Sequence, residues 1–401
     1  MKNGIATNGS LTLKVFMALG VFLMATGCQK TLDKSAITNN STLPGNVDGK
    51  SNNQNSNKKV GHFNQVNLVA NTTGYGATNI DPTLINAWGI AFNGGNVPWV
   101  NSQGGHVSEL YNGEGQSVGF GRVKIPLPNG ADGGNPTGIV FSSSTSDFLI
   151  SGGPARFIFV GLDGTLSAWN GTLGTKAAVI AAVPQSVFTG LALATNGGSN
   201  FLYAANFSLA KINVWSSTWA PVSMSFTDPN LPAGYSPYNI QNIDGMLYVA
   251  YAKVGPQGRP LAGVGLGIVN VFQPNGMLVK RFATGGTLNA PWGLTKAPSS
   301  FFKGDMDDDD DKDDGPGHGH DDMILVGNFG DGHINAYRED GKFKGLLRGD
   351  HDILTIDGLW AISFPPAAST IDHDRLYFAA GPRGEEDGLF GYIISRKDDK
   401  D

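Results

Sequence analysis

The chain has 401 residues, of which 40% are hydrophobic and 15% are charged, and 57 of them are Gly. A chain of this length and composition can bury a sizeable core, and abundant Gly with few charges favours many short strands joined by tight turns. The net charge of −6 makes a nucleic-acid partner a poor fit, because phosphate backbones attract basic surfaces. We therefore expect an all-β protein with no nucleic-acid partner.

The first 27 residues carry the pattern of an export signal. Lysines precede an apolar stretch, Val15–Gly27, that is too short to span a bilayer comfortably. The stretch ends in "ATGC", which resembles the lipobox of bacterial lipoproteins and implies cleavage before Cys28 and acylation of its thiol. An ordinary signal peptide or a short anchor is the alternative. We predict a lipoprotein signal peptide (1–27), lipidation at Cys28 and an exported protein of the cell envelope. The residue after Cys28 is Gln29 rather than Asp, which favours the outer membrane.

Residues 28–60 are predicted to be a flexible tether. Asn, Ser and Lys dominate this segment and apolar residues are sparse, so it buries too little surface to offset its chain entropy. A flexible chain of about 30 residues reaches about 30 Å on average. The folded domain is expected at 61–396, followed by a charged tail at 397–401.

A Gly-centred phrase recurs along the folded region with a period near 50 residues. Short, β-branched or aromatic segments separated by Gly, Asn or Asp follow each copy, and they are typical of strands joined by hairpins. The six copies are "NAWGIAF" (86–92), "NPTGIVF" (135–141), "FTGLALA" (188–194), "PYNIQNI" (237–243), "APWGLTKA" (290–297) and "IDGLWAISF" (356–364).

Six units of this size predict a six-bladed β-propeller preceded by a signal peptide and a disordered tether. The strand Asn64–Asn71 is predicted to complete the last blade and so to close the ring. The Gly of each phrase allows the inner strands to crowd around the axis, and in the last phrase we assign this place to Gly358. A β-sandwich pair or a β-helix is the alternative fold.

Three tryptophans belong to the repeated phrases: Trp88, Trp292 and Trp360. Their bulk is suited to filling the gaps between blades. A platform on which carbohydrate rings stack is the alternative interpretation.

Several longer motifs carry a resemblance to a known family. "DPTLINAWGIAF", "FIFVGLDGTLSAWN", "LNAPWGLTKAP", "LVGNFGDGHINAY" and "IDGLWAISF" resemble a family of exported bacterial proteins without an assigned activity, some of which end in a PEP-CTERM sorting tail. The units are similar, more loosely, to NHL-type propeller repeats. This sequence ends "SRKDDKD" instead of in such a tail. The resemblance implies the fold and export, and it supplies no catalytic residues.

Polar residues stand where the inner strands begin. Oxygen ligands at one mouth of a six-bladed propeller hold Ca²⁺ in lactonases and related hydrolases, where the ion polarises a carbonyl. The five candidates here are Asn86, Asn135, Asn239, Asn289 and Asp357. If they converge, they coordinate an ion or hydrogen-bond a small ligand. Turn and strand-end roles are the alternative, because Asn and Asp commonly serve in both.

An acidic insertion, 305–322, interrupts the fifth repeat. Packed carboxylates attract divalent cations, and the imidazoles add ligands for a transition metal. The candidate ligands for weak cation binding are Asp307, Asp309, Asp311, His318 and His320. The alternative is a solvated loop between strands.

The sequence carries none of the familiar nucleophile-elbow, zinc-protease or P-loop motifs. This favours a function other than catalysis. The favoured function is an exported, lipid-anchored binding or scaffold module on the cell envelope, with a protein or glycan as its ligand. A Ca²⁺-dependent, lactonase-like hydrolase at the channel mouth and an envelope-structural or solute-binding role are the alternatives. No cofactor is assigned, and Ca²⁺ is the one that the hydrolase alternative requires.

Overall fold

The computed structural model describes residues 58–302 and 322–396, and these residues form a six-bladed β-propeller, which confirms the predicted fold. The predicted signal peptide, Cys28, most of the tether and the charged tail lie outside the described residues. The acidic insertion does too, apart from Asp322. Within the described ranges, no helix is long and apolar enough to cross a membrane.

The described residues contain strands β1 to β28 in chain order and a few single helical turns. The strands are β1 Lys59–Val60, β2 Phe63–Ala70, β3 Asn79–Ile80, β4 Ala87–Phe92, β5 Pro98–Ser102, β6 Val107–Tyr111, β7 Ser117–Lys124, β8 Pro136–Phe141, β9 Leu149–Ile150, β10 Gly153–Pro154, β11 Phe157–Gly161, β12 Thr165–Trp169, β13 Ala178–Ala182, β14 Phe188–Asn196, β15 Ser199–Asn206, β16 Lys211–Ser216, β17 Pro221–Val222, β18 Tyr235–Ile243, β19 Met246–Lys253, β20 Gly267–Phe272, β21 Leu278–Thr284, β22 Pro291–Ala297, β23 Met323–Asn328, β24 Ile334–Arg338, β25 Phe343–Leu347, β26 Leu359–Ser363, β27 Leu376–Ala380 and β28 Leu389–Ser395. The helical turns are Gly171–Leu173, Pro256–Gly258, Ser299–Phe302 and Pro382–Glu385.

Each blade is an antiparallel sheet whose first strand lies innermost. Blade 1 contains β4 to β7, blade 2 contains β8 and β11 to β13, and blade 3 contains β14 to β17. Blade 4 contains β18 to β21 and blade 5 contains β22 to β25. The six inner strands are β4, β8, β14, β18, β22 and β26, and they surround the central channel.

Blade 6 joins the two ends of the described chain. Its order is β26-β27-β28-β2-β3, so the N-terminal strand β2 completes a sheet that the C-terminal strands begin. The pairing of β2 with β28 runs from Phe63 opposite Ser395 to Ala70 opposite Leu389. This arrangement confirms the predicted closure of the ring. Lys59 and Val60, the last residues of the predicted tether, pair as β1 with the outer edge of blade 5.

The core consists of apolar layers between neighbouring blades. Aliphatic and aromatic side chains of blades 1 and 2 meet in one cluster, and blades 2 and 3, 3 and 4, 4 and 5, and 5 and 6 meet in four others. Because a blade buries both faces only when it has two neighbours, ring closure completes the core. The sixth cluster joins blades 6 and 1 and extends across one end of the channel.

The inner-strand glycines permit close approach between blades. A Cβ at Gly89 would lie 2.3 Å from the Thr137 carbonyl oxygen of the next blade, and one at Gly138 would lie 2.5 Å from the Leu191 nitrogen. Such contacts are too short for any side chain, so only Gly fits. In blade 6, the residue that follows the tryptophan on the inner strand is Ala361. Gly358 serves differently, because it adopts a left-handed conformation (φ +67).

Candidate functional site

The inner strands begin at one end of the channel, here called the mouth. In every inner strand, pairing with the second strand shifts register near the mouth. Such bulges re-aim the side chain of the extra residue. The residues released from the ladder include Trp88, Thr137, Thr189, Tyr238, Trp292 and Trp360.

The aromatic side chains of these residues meet across the mouth. Trp88 stacks on Trp360 with ring centroids 3.5 Å apart, and Phe329 stacks on the same ring at 4.0 Å. Trp292 meets both indoles edge-on. The three tryptophans thus pack against one another and belong to the cluster that closes the channel end.

Two of the indole nitrogens have acceptors. Trp360 Nε1 donates to Asn86 Oδ1 at 2.8 Å, and Trp292 Nε1 donates to the Thr189 carbonyl oxygen at 2.9 Å. Trp88 Nε1 is buried and has no acceptor among the described residues. A buried donor without a partner is energetically costly in a native protein, and it marks a position where a hydrogen-bond acceptor is missing.

A cavity of about 210 Å³ lies beside this aromatic group at the mouth. Its aromatic walls are Trp88, Phe207, Tyr238, Phe329 and Trp360. Leu162 and Val187 add aliphatic surface, and Thr189 adds a hydroxyl. Loops of blades 4 and 6 contribute the remaining wall.

The blade 4 loop, residues 254–266, joins β19 to β20 and supplies Gln257, Arg259, Pro260 and Ala262 to the cavity. Gln257 adopts a left-handed conformation (φ +63), which is strained for a residue with a side chain. Asn289 fixes the far end of the loop, because its Oδ1 accepts a hydrogen bond of 2.6 Å from the Gly263 N–H. Here the predicted candidate Asn289 positions a cavity wall.

The blade 6 turn, Pro382–Glu385, places the Glu385 side chain in the cavity wall. Arg383, Gly384 and Glu385 all have positive φ. The Arg383 N–H donates to Asp357 Oδ2 at 2.9 Å, so this predicted candidate holds the turn. Backbone strain of this kind persists only where surrounding contacts impose it, and it is common at ligand sites.

Asp387 anchors the same turn from behind. It accepts hydrogen bonds from the Tyr75 hydroxyl at 2.6 Å and from Asn71 Nδ2 at 3.0 Å. Burial acts to raise the pKa of Asp387, but these bonds and the Arg383 charge outweigh it and hold that pKa below its usual range. Asp387 therefore stays ionised at neutral pH and keeps the turn tied to the N-terminal strand region.

Asn86 and Asn135 belong to one chain of side-chain hydrogen bonds behind the cavity. Gln103 Nε2 donates to Asn135 Oδ1 at 2.9 Å, and Asn86 Nδ2 lies 3.0 Å from Gln103 Oε1. Asn86 Nδ2 also donates to Glu385 Oε2 at 3.1 Å. The chain therefore ends on the carboxylate that lines the cavity, and it orients that carboxylate.

Asn239 lies elsewhere, within the inner strand of blade 4. It lines the narrow channel below the mouth, and its Nδ2 donates to the Trp292 carbonyl oxygen at 2.7 Å. Its Oδ1 packs closely against Gly190 of blade 3, where a Cβ would lie 2.0 Å away.

Oxygens of four of the five candidate residues accept hydrogen bonds from protein donors: those of Asn86, Asn135, Asn289 and Asp357. Within residues 58–302 and 322–396, no group of three or more His, Cys, Asp or Glu side chains is arranged to hold a metal.

The predicted cation ligands of the acidic insertion, Asp307, Asp309, Asp311, His318 and His320, lie outside the described residues. Asp322, at the end of the insertion, accepts from the Ser299 N–H at 3.2 Å and lies 3.2 Å from Lys296 Nζ. The insertion joins β22 to β23 at the end of the propeller opposite the mouth.

Sequence reasoning did not identify Glu385, Arg259, Phe207 or Phe329 as cavity residues. A signal existed for the two phenylalanines, because each follows an Asn that ends a second strand, in "AANF" and "VGNF". Arg259 and Glu385 stand in loops that are longer than the corresponding loops of the other blades, so the repeat pattern carried no information about them.

The fold and the cavity define a six-bladed β-propeller with an aromatic pocket at its channel mouth. No established family model matches the chain. It is 30% identical to the uncharacterized protein R648 of Acanthamoeba polyphaga mimivirus over 345 residues, which cover 81% of this chain and 78% of R648. The uncharacterized protein L690 of the same virus is 28% identical over 82% of this chain and 85% of its own length. The chain belongs to the family that includes R648.

Solved structures share the fold at low identity. A protein of unknown function from Bacteroides thetaiotaomicron aligns with a TM-score of 0.50 and 12% identity, over 83% of this chain and 76% of its own. The gluconolactonase XC5397 of Xanthomonas campestris aligns with a TM-score of 0.44 and 10% identity, over 77% of this chain and 86% of its own, which does not bear on activity. The relatives named above are viral, so membership of an exported bacterial family stays a prediction.

Proposed function

We propose that this protein is an exported, lipid-anchored β-propeller that binds a small, largely apolar molecule in the mouth cavity. The cavity carries the proposal, because it has a volume of about 210 Å³ and five aromatic side chains in its wall. Small-molecule sites are concave and mainly apolar, with a few placed polar groups. A cavity of this size favours a small molecule over a protein surface or a long glycan.

The strained loops support a binding role. Gln257 and Glu385 line the cavity in left-handed conformations that residues with side chains rarely adopt. Hydrogen bonds from Asn289 and Asp357 hold the two loops in place. A pre-organised wall lowers the ordering cost of binding.

The position of the tether is compatible with this role. Phe63 stacks on Phe301 with ring centroids 4.6 Å apart, and Phe301 follows the end of β22 that is remote from the mouth. Lys58, the first described residue, lies five positions before Phe63. Lys59 pairs with the outer strand β25, so a tether that precedes Lys58 would join the ring at the outer edge of blade 5, and residues 58–63 do not line the mouth cavity.

Binding is favoured over Ca²⁺-dependent hydrolysis. The hydrolase alternative needs free oxygen ligands at the mouth, whereas the Asn86, Asn135 and Asn289 amide oxygens accept protein hydrogen bonds. Ca²⁺ takes six to eight oxygen ligands, and within the described ranges no group of three or more His, Cys, Asp or Glu side chains is arranged to hold a metal.

The binding proposal is tested by filling the cavity. Ala262→Trp places an indole in the cavity wall, and Ala220→Trp adds the same group to an exposed loop at the other end. Trp88 and Trp360 should report binding by their fluorescence when small aromatic, aliphatic and sugar compounds are titrated. We expect saturable binding of at least one compound by the wild type and by Ala220→Trp, and its loss in Ala262→Trp. Equal binding by both variants would place the ligand elsewhere.

The anchoring proposal is tested separately. Cys28→Ala removes the predicted acylation site and leaves the rest of the chain unchanged. We expect the wild type to fractionate with membranes and to incorporate a labelled fatty acid, and the variant to do neither. Labelling that persists in Cys28→Ala would refute lipidation at this residue.

A further inference from the structure

Two opposite charges enter the wall of the otherwise apolar mouth cavity. Arg259 comes from the blade 4 loop and Glu385 from the blade 6 turn. All other residues of the wall are uncharged, and their polar groups are the side chains of Thr189 and Gln257, the Tyr238 hydroxyl and the indole nitrogens of Trp88 and Trp360. A ligand that occupies this space therefore meets one cation, one anion and a large aromatic surface.

Hydrogen bonds from outside the cavity hold the backbone at Arg259 and the carboxylate of Glu385. The Arg259 carbonyl oxygen accepts a hydrogen bond of 2.7 Å from the Gly255 N–H, which closes the loop that carries it. The Glu385 carboxylate accepts from Asn86 Nδ2, and Asn86 is itself fixed by Trp360 and Gln103. The Glu385 carboxylate and the backbone at Arg259 therefore have defined positions relative to the aromatic wall.

The volume limits the size of the ligand. An apolar cavity of about 150 Å³ accommodates benzene. At about 210 Å³, the mouth cavity has room for one benzene-sized ring and a few further heavy atoms. The aromatic walls supply offset-stacked or edge-to-face contacts that favour such a ring.

We infer that the mouth cavity recognises a zwitterionic α-amino acid with an aromatic side chain, such as free phenylalanine. This inference rests on the proposed function and names the ligand class. The ring packs among the aromatic side chains, the ammonium group pairs with Glu385 and the carboxylate pairs with Arg259. Charge-assisted hydrogen bonds of this kind are about twice as strong as neutral ones, and a guanidinium matches a carboxylate in a bidentate manner.

Two other ligand classes fit less well. A purely apolar ligand would leave the two charged residues of the wall without any polar contact to the ligand, and placing apolar atoms against charged groups is unfavourable. A sugar needs several hydrogen-bonding partners for its hydroxyls. Its hydroxyls surround the whole ring, whereas most of the wall surface is aromatic or aliphatic, which suits a ligand with an apolar ring and one polar end better.

The test uses four compounds that separate the three contacts. L-phenylalanine has the ring and both charges, phenethylamine lacks the carboxylate, 3-phenylpropionate lacks the ammonium group and glycine lacks the ring. Calorimetric titration of the wild type should give the highest affinity for L-phenylalanine and no measurable binding of glycine. Loss of either charge partner should weaken binding about tenfold or more.

Two variants assign each charge to one end of the ligand. Glu385→Gln should weaken the binding of L-phenylalanine and phenethylamine. The affinity for 3-phenylpropionate should stay unchanged or increase. Arg259→Gln should weaken the binding of L-phenylalanine and 3-phenylpropionate but leave the affinity for phenethylamine unchanged. The controls are Glu386→Gln, an exposed neighbour, and Lys211→Gln, an exposed residue of blade 3, and both should behave as the wild type.

The outcomes separate this inference from the proposed function. If an uncharged aromatic such as toluene binds as tightly as L-phenylalanine and neither charge variant matters, amino-acid recognition is wrong and the apolar site stands. If a sugar binds and L-phenylalanine does not, the ligand class is wrong. If no compound binds the wild type, the inference and the proposed small-molecule function both fail.

Discussion

Replacing Glu109 with Gln should change how the stability of the protein depends on pH. Glu109 lies in β6, the third strand of blade 1, and is fully buried. Its Oε1 is 2.5 Å from Thr83 Oγ1, which in turn is 2.6 Å from Asp81 Oδ1. A hydroxyl has one hydrogen, so both contacts form together when one of the two carboxyls carries a proton.

The proton belongs on Glu109. Asp81 accepts further hydrogen bonds from the Thr83 N–H and the Tyr111 hydroxyl, both at 3.0 Å. Glu109 Oε2 has no hydrogen-bond partner among the described residues, although Arg122 Nε lies 3.3 Å away outside hydrogen-bonding geometry.

Burial raises the pKa of Glu109 from 4.5 to about 7, and the Asp81 charge acts in the same direction. The Thr83 hydrogen bond and the Arg122 guanidinium lower it, but they are outweighed. The guanidinium side chain is 40% exposed, so solvent screens its charge.

The sign and size of the effect follow from proton linkage. The folded state keeps the Glu109 proton up to about pH 7, whereas the unfolded chain loses it near pH 4.5. The stabilisation from this proton is complete below pH 4.5 and is lost as the pH rises through 7. A pKa difference of this size corresponds to about 3 kcal/mol.

Glu109→Gln keeps a donor towards Thr83 and removes the titration. Relative to the wild type, the variant should gain about 3 kcal/mol of unfolding free energy between pH 4.5 and pH 8. Denaturant unfolding at half-unit pH steps measures this difference, and global titration effects cancel between the two proteins. A difference that stays flat across this pH range would refute the assignment of the proton to Glu109.

Three further predictions concern the ring and the mouth. Gly138→Ala should destabilise the protein by about 1–3 kcal/mol in denaturant unfolding, because the new Cβ meets Leu191 backbone, whereas Gly171→Ala has open space and should change little. Phe63→Ala should cost about 3–5 kcal/mol and lower the melting temperature, since its buried ring stacks on the remote end of blade 5 at the ring closure. Asn289→Ala should raise hydrogen exchange in the blade 4 loop and weaken cavity binding, without a comparable loss of global stability.

The repeat unit was predictable because its physical cause is local. At Gly89, Gly138 and Gly190 the inner strand approaches the next strand so closely that no side chain fits, and these positions recur at the repeat period. Blades 4 and 6 carry Asn239 and Ala361 at the equivalent position. The last copy was assigned to the wrong Gly. The dipeptide "DG" led to Gly358 being aligned with the glycines of the other copies. The equivalent position, directly after the inner-strand tryptophan, is Ala361. Sequence spacing alone does not locate a bulge, and the bulge sets the register.

The cavity was not predictable, because its wall is assembled across the ring. Leu162 belongs to blade 2, Phe207 to blade 3, Phe329 to blade 5 and Glu385 to blade 6, and they become neighbours only when the sheets close. The polar residues that the sequence did single out lie around this wall or in the channel below it. Asn289 and Asp357 hold the loops, while Asn86 orients the carboxylate.

Several residues at the mouth carry backbone strain. The residues Asn86, Gln257, Ala290, Arg383 and Glu385 adopt left-handed conformations there, and others with positive φ, such as Trp219 and Asp244, lie in turns at the opposite end. Each such conformation costs about 1–2 kcal/mol, so together they oppose folding by several kcal/mol. The apolar layers between blades lie away from these loops and are large enough to offset that cost. Because the layers fix the blade positions, the loops at the mouth are free to diverge in sequence, and ligand specificity can change there without rebuilding the ring.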